Sequence, residues 1–245
     1  MKIAISSGHS RHVSGAVGLI NEVTEARRVT DRIADYLRAA GVEVAIFHDD
    51  ASKTQPANLK AILAFHNAQW RDRSYDVSVH FNASAGGTTQ SAIGTEVLHL
   101  TQPVMAARVA AAIAKASGLK DRGAKKRTNL SFLSKTSRPA LLLEILFVNS
   151  AADVAIYRRP GTFDAICKAI AEALTGRRIT AGAMPVLRNG SIGEAVRELQ
   201  RLLGGLLVDG IFGSLTEAKV RVYQTEQNIG VDGVVGPITW ARLKP

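Results

Sequence analysis

Four polar residues stand where the surrounding sequence has reason to exclude them. Glu144 interrupts the apolar run ALLLEILF, the pattern of a strand covered on both faces, where an unpaired carboxylate costs several kcal/mol. Such a carboxylate is either paired in a salt bridge or faces a cleft. In the cleft, burial raises its pKa toward the range that a general base or acid needs near neutrality. His80 lies in VSVHFNA, where Val77, Val79 and Phe81 alternate with Ser78, His80 and Asn82, so one face of that strand is apolar and the other polar. A histidine there is either a hydrogen-bonded interior group or a ligand. His9 follows an N-terminal strand in the turn Ser-Ser-Gly-His, and loops at strand ends commonly present functional side chains; an ordinary turn histidine is the other reading. Glu22 lies four residues before Ala26, on the face that Ala26, Val29, Ile33, Tyr36 and Leu37 define by the helical period. It either begins that buried face or is a first-turn acid complementing the helix dipole, a role that Glu25, further round the helix, fits better.

Together these residues form a chemical set. Two imidazoles and one carboxylate can hold Zn²⁺ with a fourth position open for water, and a second carboxylate can move that water's proton. The single cysteine, Cys167, excludes an intrachain disulfide and a cysteine-built zinc site, so any metal is held by histidines and carboxylates. Among the other histidines, His12 competes with His9 by proximity. His66 shares an apolar helix face with Leu59, Ile62 and Leu63 and reads as core packing, while His99 ends a strand and His48 precedes Asp49-Asp50.

The elements that must position this set alternate along the chain. Strand-like runs at Lys2–Ser6, Val42–Phe47, Val77–Ala83, Gly94–Leu100 and Ala140–Phe147 are separated by helical patterns at Glu22–Ala40, Pro56–Trp70, Pro103–Ser117 and Thr162–Leu174. This predicts an α/β domain over residues 1–176, with a twisted, mostly parallel or mixed sheet flanked by helices. The polar, Gly/Pro-bearing stretch GRRITAGAMP follows, and residues 177–184 are expected to be a linker. Residues 185–245 then read as a small all-α domain. Inside it, VDGIFGSLTEAKV from Val208 and VDGVVGPITWARL from Val231 share the frame V-D-G-x-x-G-x-x-T at an offset of 23 residues, the mark of a repeated turn-helix unit. That domain holds no histidine, which argues against catalysis within it.

At 245 residues, 46% apolar and 21% charged, the chain is globular, which excludes disorder and collagen-like repeats. Its net charge of +10 points to an anionic partner. Residues 1–178 carry 24 basic and 15 acidic side chains, against 7 and 6 in residues 179–245, so the field belongs to the first domain. Residues 115–138 concentrate it in Lys115, Lys120, Arg122, Lys125, Lys126, Arg127, Lys135 and Arg138, with Asp121 alone opposing. This segment is either a solvated loop or a rim that attracts a polyanion. With aromatics at 5% and no nucleic-acid fingerprint, a specific nucleic-acid partner is not expected. The N-terminus MKIAISSGHS lacks the longer apolar stretch and cleavage site of a signal peptide. Nor does any later stretch approach the ~18 consecutive apolar residues of a membrane span. The expectation is a monomer made in the cytoplasm.

Gly8-His9 followed by Gly15-Ala16, the helix-opening Glu22 with Gly41 closing that helix, S-V-H-F-N-A around His80 and L-L-L-E-I-L-F-V-N around Glu144 resemble the zinc-dependent N-acetylmuramoyl-L-alanine amidases of the amidase-3 type. The resemblance covers about residues 1–176. It implies that His9, Glu22 and His80 bind zinc and that Glu144 is catalytic. It also implies hydrolysis of the amide between N-acetylmuramic acid and the L-alanine of the peptidoglycan stem peptide. Two departures, Ser6-Ser7-Gly8-His9-Ser10-Arg11 where the family usually has D-P-G-H-G-G and Glu144-Ile145-Leu146-Phe147 where it has E-x-G-F, remove no ligand but alter the rim of the cleft. The stretch from about Pro185 to Leu243 resembles the small helical peptidoglycan-binding domain of wall hydrolases. The combination, without a signal peptide, is similar to a phage or prophage endolysin that reaches the wall through a membrane lesion, its basic surface drawn to anionic envelope polymers. Two alternatives stay open: a zinc metallopeptidase cutting within the stem peptide, and a noncatalytic wall-binding protein.

Overall fold

The computed structural model describes residues 1–179 and 184–243. The chain divides into two compact units, Met1–Arg178 and Ile179–Pro245. Of the linker expected at 177–184, residues 180–183 lie outside the described residues. Among the described residues no helix is long and apolar enough to cross a membrane.

The first unit runs β1 (Lys2–Ser7), α1 (Glu22–Ala39), β2 (Glu43–Phe47), α2 (Gln55–Ala68), β3 (Tyr75–Asn82), β4 (Thr95–His99), α3 (Pro103–Ser117), β5 (Asp121–Lys126), α4 (Ser131–Lys135), β6 (Ala140–Phe147), α5 (Ala151–Tyr157) and α6 (Thr162–Thr175). The strands form one sheet in the order β2-β1-β3-β6-β4-β5. It is mixed: β4 runs antiparallel to β6, and the other pairings are parallel. The apolar character of β6 follows from its place between β3 and β4, where Leu141, Leu143, Ile145 and Leu146 are fully buried. Helix α1 starts where Asn21 accepts a hydrogen bond from Thr24 N at 3.0 Å, and it buries Ala26, Val29, Ile33 and Leu37. Its first residue, Glu22, thereby lies close to the sheet. The loop between β1 and α1 is tied to the end of β6 by Leu19 N, which donates to Val148 O at 2.9 Å.

The basic segment 115–138 is not a loop. It holds the end of α3, the strand β5 and the short helix α4. Strand β5 (DRGAKK) has no apolar alternation, because as an edge strand it is partly solvated along its length. Lysines on such an edge also discourage pairing with another chain. Helices α4 and α5, of 5 and 7 residues, are too short for an apolar period to signal them.

The second unit consists of α7 (Glu194–Leu203), α8 (Ser214–Glu226) and α9 (Pro237–Leu243). They enclose a core that includes Leu187, Val196, Leu199, Phe212, Val220, Val235 and Trp240. The V-D-G repeat is built twice on one plan. Gln200 Nε2 donates to Asp209 Oδ1 at 2.8 Å and Gln200 Oε1 accepts from Gly210 N at 2.9 Å. Gln224 does the same with Asp232 and Gly233 at 2.8 and 2.9 Å. Gly210 and Gly233 adopt φ of 77° and 72°, a conformation open to glycine at little cost, and a Cβ on either would press on the guanidinium of Arg197 or Arg221. The repeat therefore includes the preceding Arg-x-x-Gln of α7 and α8, which the turn frame alone does not reveal.

Candidate metal centre

The carboxylate of Glu22 is the hinge of the site. Its Oε1 accepts from Phe81 N at 3.1 Å and lies 3.0 Å from His80 Nδ1 and 3.3 Å from His9 Nε2. Its Oε2 accepts from Ala16 N at 2.5 Å. Burial by itself would raise the pKa of Glu22. Hydrogen bonds and charge from His80 and His9 outweigh it and hold the carboxyl far below the usual carboxylate range. Glu22 is thus not merely a dipole-complementing acid, since its oxygens are committed to the β1–α1 loop and to β3. Glu25 pairs instead with Arg28 at 2.9 Å and with Tyr157 Oη at 2.7 Å.

His9 enters from the turn after β1 and His80 from β3, their rings edge-to-face with centroids 5.2 Å apart. One donor atom from each of His9, Glu22 and His80 lies within 4.8 Å of the others. Two glycines make this convergence possible. A Cβ on Gly8 would overlap the His80 imidazole, and one on Gly15 would collide with Glu22 Oε2 and stand 2.8 Å from His9 Cδ2. The turn is anchored from below, where Gly8 N donates to Val79 O at 2.9 Å and buried Asn58 Nδ2 donates to Gly8 O at 3.0 Å. Two imidazoles and an ionised carboxylate with converging donors fit a divalent cation of zinc's ligand preference. His9 Nδ1, buried and without a hydrogen-bond partner, is the unsatisfied atom of the set.

Glu144 lies in register with His80 on β3 and with Glu96 on β4, so the three side chains share one face of the sheet. Its Oε2 is buried without a hydrogen-bond partner, and no ion pair is formed with it among the described residues. Burial, followed by the charges of Glu22 and Glu96, pushes its pKa well up. Of the two possibilities for this carboxylate, a structural salt bridge and a cleft-facing acid, the geometry favours the second.

The remaining histidines stand elsewhere. His12 is exposed. His66 is buried, but as part of a polar relay, with Nδ1 2.8 Å from Asp76 Oδ1 and Nε2 3.0 Å from Ser6 Oγ. His48 bridges Ser7 and Asp31 at 2.9 and 3.0 Å. His99 is buried at the end of β4.

Residues 3–176 match the family model of N-acetylmuramoyl-L-alanine amidase. The chain belongs to this amidase family. Residues 192–243 match a peptidoglycan binding domain model. An uncharacterized protein of Clostridium perfringens is 33% identical over 198 residues, which cover 79% of the amidase-family chain. The chain spans only 57% of the length of that relative, and 47% of a second C. perfringens protein that is 30% identical to it. Among solved structures, the catalytic domain of the CD27L endolysin targeting Clostridia difficile superposes with a TM-score of 0.65 at 25% identity. That match covers 74% of this chain and 99% of the other. The N-acetylmuramoyl-L-alanine amidase AmiC2 of Nostoc punctiforme shares the fold, with a TM-score of 0.60 at 22% identity over 72% of this chain and 96% of its own.

Sequence reasoning singles out His9, Glu22, His80 and Glu144 but not what holds them. The backbone amides of Ala16 and Phe81 that fix Glu22 carry no side-chain signature. Glu96, buried beside Glu144, has none either, because β4 is adjacent to β6 only through the sheet order. Gly8 and Gly15 are the part that can be read from sequence, as glycines flanking an imidazole.

Proposed function

We propose that this chain hydrolyses the amide between N-acetylmuramic acid and the L-alanine of the stem peptide in peptidoglycan, and that His9, Glu22 and His80 would hold a zinc ion for that reaction. The observation that carries this reading is the carboxylate of Glu144, whose buried Oε2 has no hydrogen-bond partner, in register with His80 of the three converging donors. Zinc bound there supplies Lewis acidity and lowers the pKa of water. Glu144 takes the proton of the attacking water and hands it to the leaving amine of L-alanine. Its raised proton affinity suits both halves of that transfer, because a stronger base accepts the proton readily and keeps it until the nitrogen can take it. Glu22, held by Ala16 N and Phe81 N, keeps His9 and His80 oriented, and its ionised state favours a cation.

The C-terminal unit is proposed to bind peptidoglycan and hold the catalytic unit on its insoluble substrate. Family membership and the likeness to an endolysin catalytic domain support a role in wall lysis. The excess positive charge of residues 1–178 is proposed to add attraction to anionic envelope polymers. Digestion of purified peptidoglycan with and without a chelator tests the reading, the new termini being identified by mass spectrometry. Intact stem peptides beginning with L-alanine, released only without chelator, are expected. Cuts within the stem peptide would instead identify a metallopeptidase, and no released peptide in either condition would leave a binding protein.

A further inference from the structure

The polar row on the catalytic face does not stop at Glu144. Glu96 on β4 is in register with Glu144 and buried, and both of its oxygens are held. Oε2 accepts from Arg122 Nε at 2.8 Å, and Oε1 accepts from Asn82 Nδ2 at 3.4 Å. Arg122 belongs to β5, the edge strand within the basic segment. Its guanidinium carbon also lies 5.1 Å from the centroid of the Phe147 ring. Two constraints, the Nε bond and the aromatic face, fix the plane of the guanidinium. Neither terminal nitrogen has a hydrogen-bond partner among the described residues, and the side chain is 33% exposed. His80, Glu144, Glu96 and Arg122 thus line up across four adjacent strands, β3-β6-β4-β5.

An oriented guanidinium with both terminal nitrogens open is the geometry that takes a carboxylate by two parallel hydrogen bonds. Strand β5 lies two strand spacings, roughly 10 Å, from β6. Two residues of extended peptide span roughly 7 Å, and the length of the Arg122 side chain closes the remainder. We propose that Arg122, held by Glu96, is a specificity-determining residue that binds a free carboxylate of the stem peptide, the one on the residue that follows L-alanine. This rests on the reaction proposed above, and it gives the basic segment a local task beside its diffuse one.

The test compares two soluble muramoyl peptides that differ only in whether that carboxylate is free or amidated. The wild-type chain is expected to favour the free acid by about ten- to hundredfold in kcat/KM, the worth of charge-assisted hydrogen bonds. Arg122→Gln should erase that preference by raising KM for the free acid relative to the amidated substrate. Arg122→Lys keeps the charge but not the fork and should retain only part of it. Equal wild-type rates on both substrates would overturn the inference without any variant, and so would an Arg122→Gln loss equal on both substrates, the mark of a merely structural residue. Equilibrium binding of the same pair to Glu144→Gln separates the two levels of argument. Should the wild type release no stem peptide while Glu144→Gln still binds the free acid more tightly in an Arg122-dependent way, the amidase reading falls and the carboxylate subsite stands. Equal binding of the two peptides would remove the subsite.

Discussion

The first unit sets histidine against a buried carboxylate in two places, and the two clusters are finished differently. At His66 every polar atom is answered. Its two nitrogens meet Asp76 and Ser6, and Arg73 clasps both oxygens of Asp76 at 2.7 and 2.8 Å. Arg73 itself goes on to Trp70 O and Ser137 Oγ at 3.0 and 3.1 Å. At Glu22 two imidazoles share one oxygen of a single carboxylate, His9 Nδ1 is unanswered, and Glu144 Oε2 close by is unanswered too. A closed polar network rigidifies a core, whereas a partly answered one costs stability. A fold that tolerates the second beside the first has left donor atoms available. Under the proposed function, the distinction between a structural and a chemical histidine therefore lies in the completeness of its surroundings, because both kinds face a buried acid.

The comparison breaks most sharply at Glu144. Replacing it by Gln removes the proton carrier without changing volume, so hydrolysis should fall about 10³-fold or more, while zinc content and wall binding stay near wild type. Steady-state turnover on peptidoglycan, with metal analysis of the same sample, decides; wild-type turnover would remove Glu144 from the chemistry. The paired substitutions His80→Ala and His66→Ala sharpen it further. His80→Ala should lose both metal and activity. His66→Ala should keep its metal but lose about 3 kcal/mol of stability, from a cavity and an unanswered Ser6 hydroxyl beside Asp76. Urea unfolding and zinc content on both variants test this, and retention of zinc by His80→Ala would show that the open cluster is not a metal site.

A subtler difference appears in pH. Burial first, with the charge of Arg73 adding to it against the pull of Asp76, lowers the pKa of His66. The unfolded chain then binds a proton at about pH 6.5 that the folded chain refuses. Stability is therefore lost as pH falls below about 6.5, by up to about 1.4 kcal/mol per pH unit until the folded value is reached. Asp35 opposes this trend, because burial, against the nearby Arg32 and Arg38, pushes it up to about 7. Its folded form holds a proton that the unfolded chain releases, so its contribution to stability grows as pH falls from about 7 toward 4. Urea midpoints across that range should accordingly show a shallower acid loss in His66→Gln than in wild type. Parallel curves would mean that His66 is not held neutral.

The legible part of this architecture is the part written in contiguous residues. The unbroken apolar run around Glu144 announces a central strand, the helical period after Asn21 announces α1, and the alternation in VSVHFNA puts His80 on a polar face. What escapes is set across strands. Glu96 sits in TEVLH and Arg122 in DRGAKK, and nothing in either string says that β4 reverses direction beside β6 or that β5 forms the edge next to it. A charged, glycine-bearing edge strand has no apolar alternation to betray it, because it owes its conformation to its partner. The repeat of the C-terminal unit shows the same limit. The turns are visible as V-D-G, but Gln200 and Gln224, which tie each turn to the preceding helix, lie 24 residues apart while their Asp partners lie 23 apart, so a fixed frame misses them.

The two units also differ in how they carry charge, and this predicts the smallest effect. In the C-terminal unit Arg201 and Arg221 are paired along their own helices, with Glu194 at 3.1 Å and Glu217 at 2.8 Å. In the first unit Lys125 and Lys126 lie on an edge strand and have no ion-pair partner among the described residues. Exposed, unpaired charges act over about one Debye length, which shrinks from about 10 Å at 0.1 M salt to about 3 Å at 1 M. Wall attachment of residues 1–178 should accordingly weaken several-fold across that range, and that of residues 179–245 by less than about twofold, as measured by cosedimentation with purified walls. Equal salt sensitivity of the two fragments would mean that the positive field plays no part in attachment, and that the charge of β5 serves only to guard the sheet edge and to place Arg122.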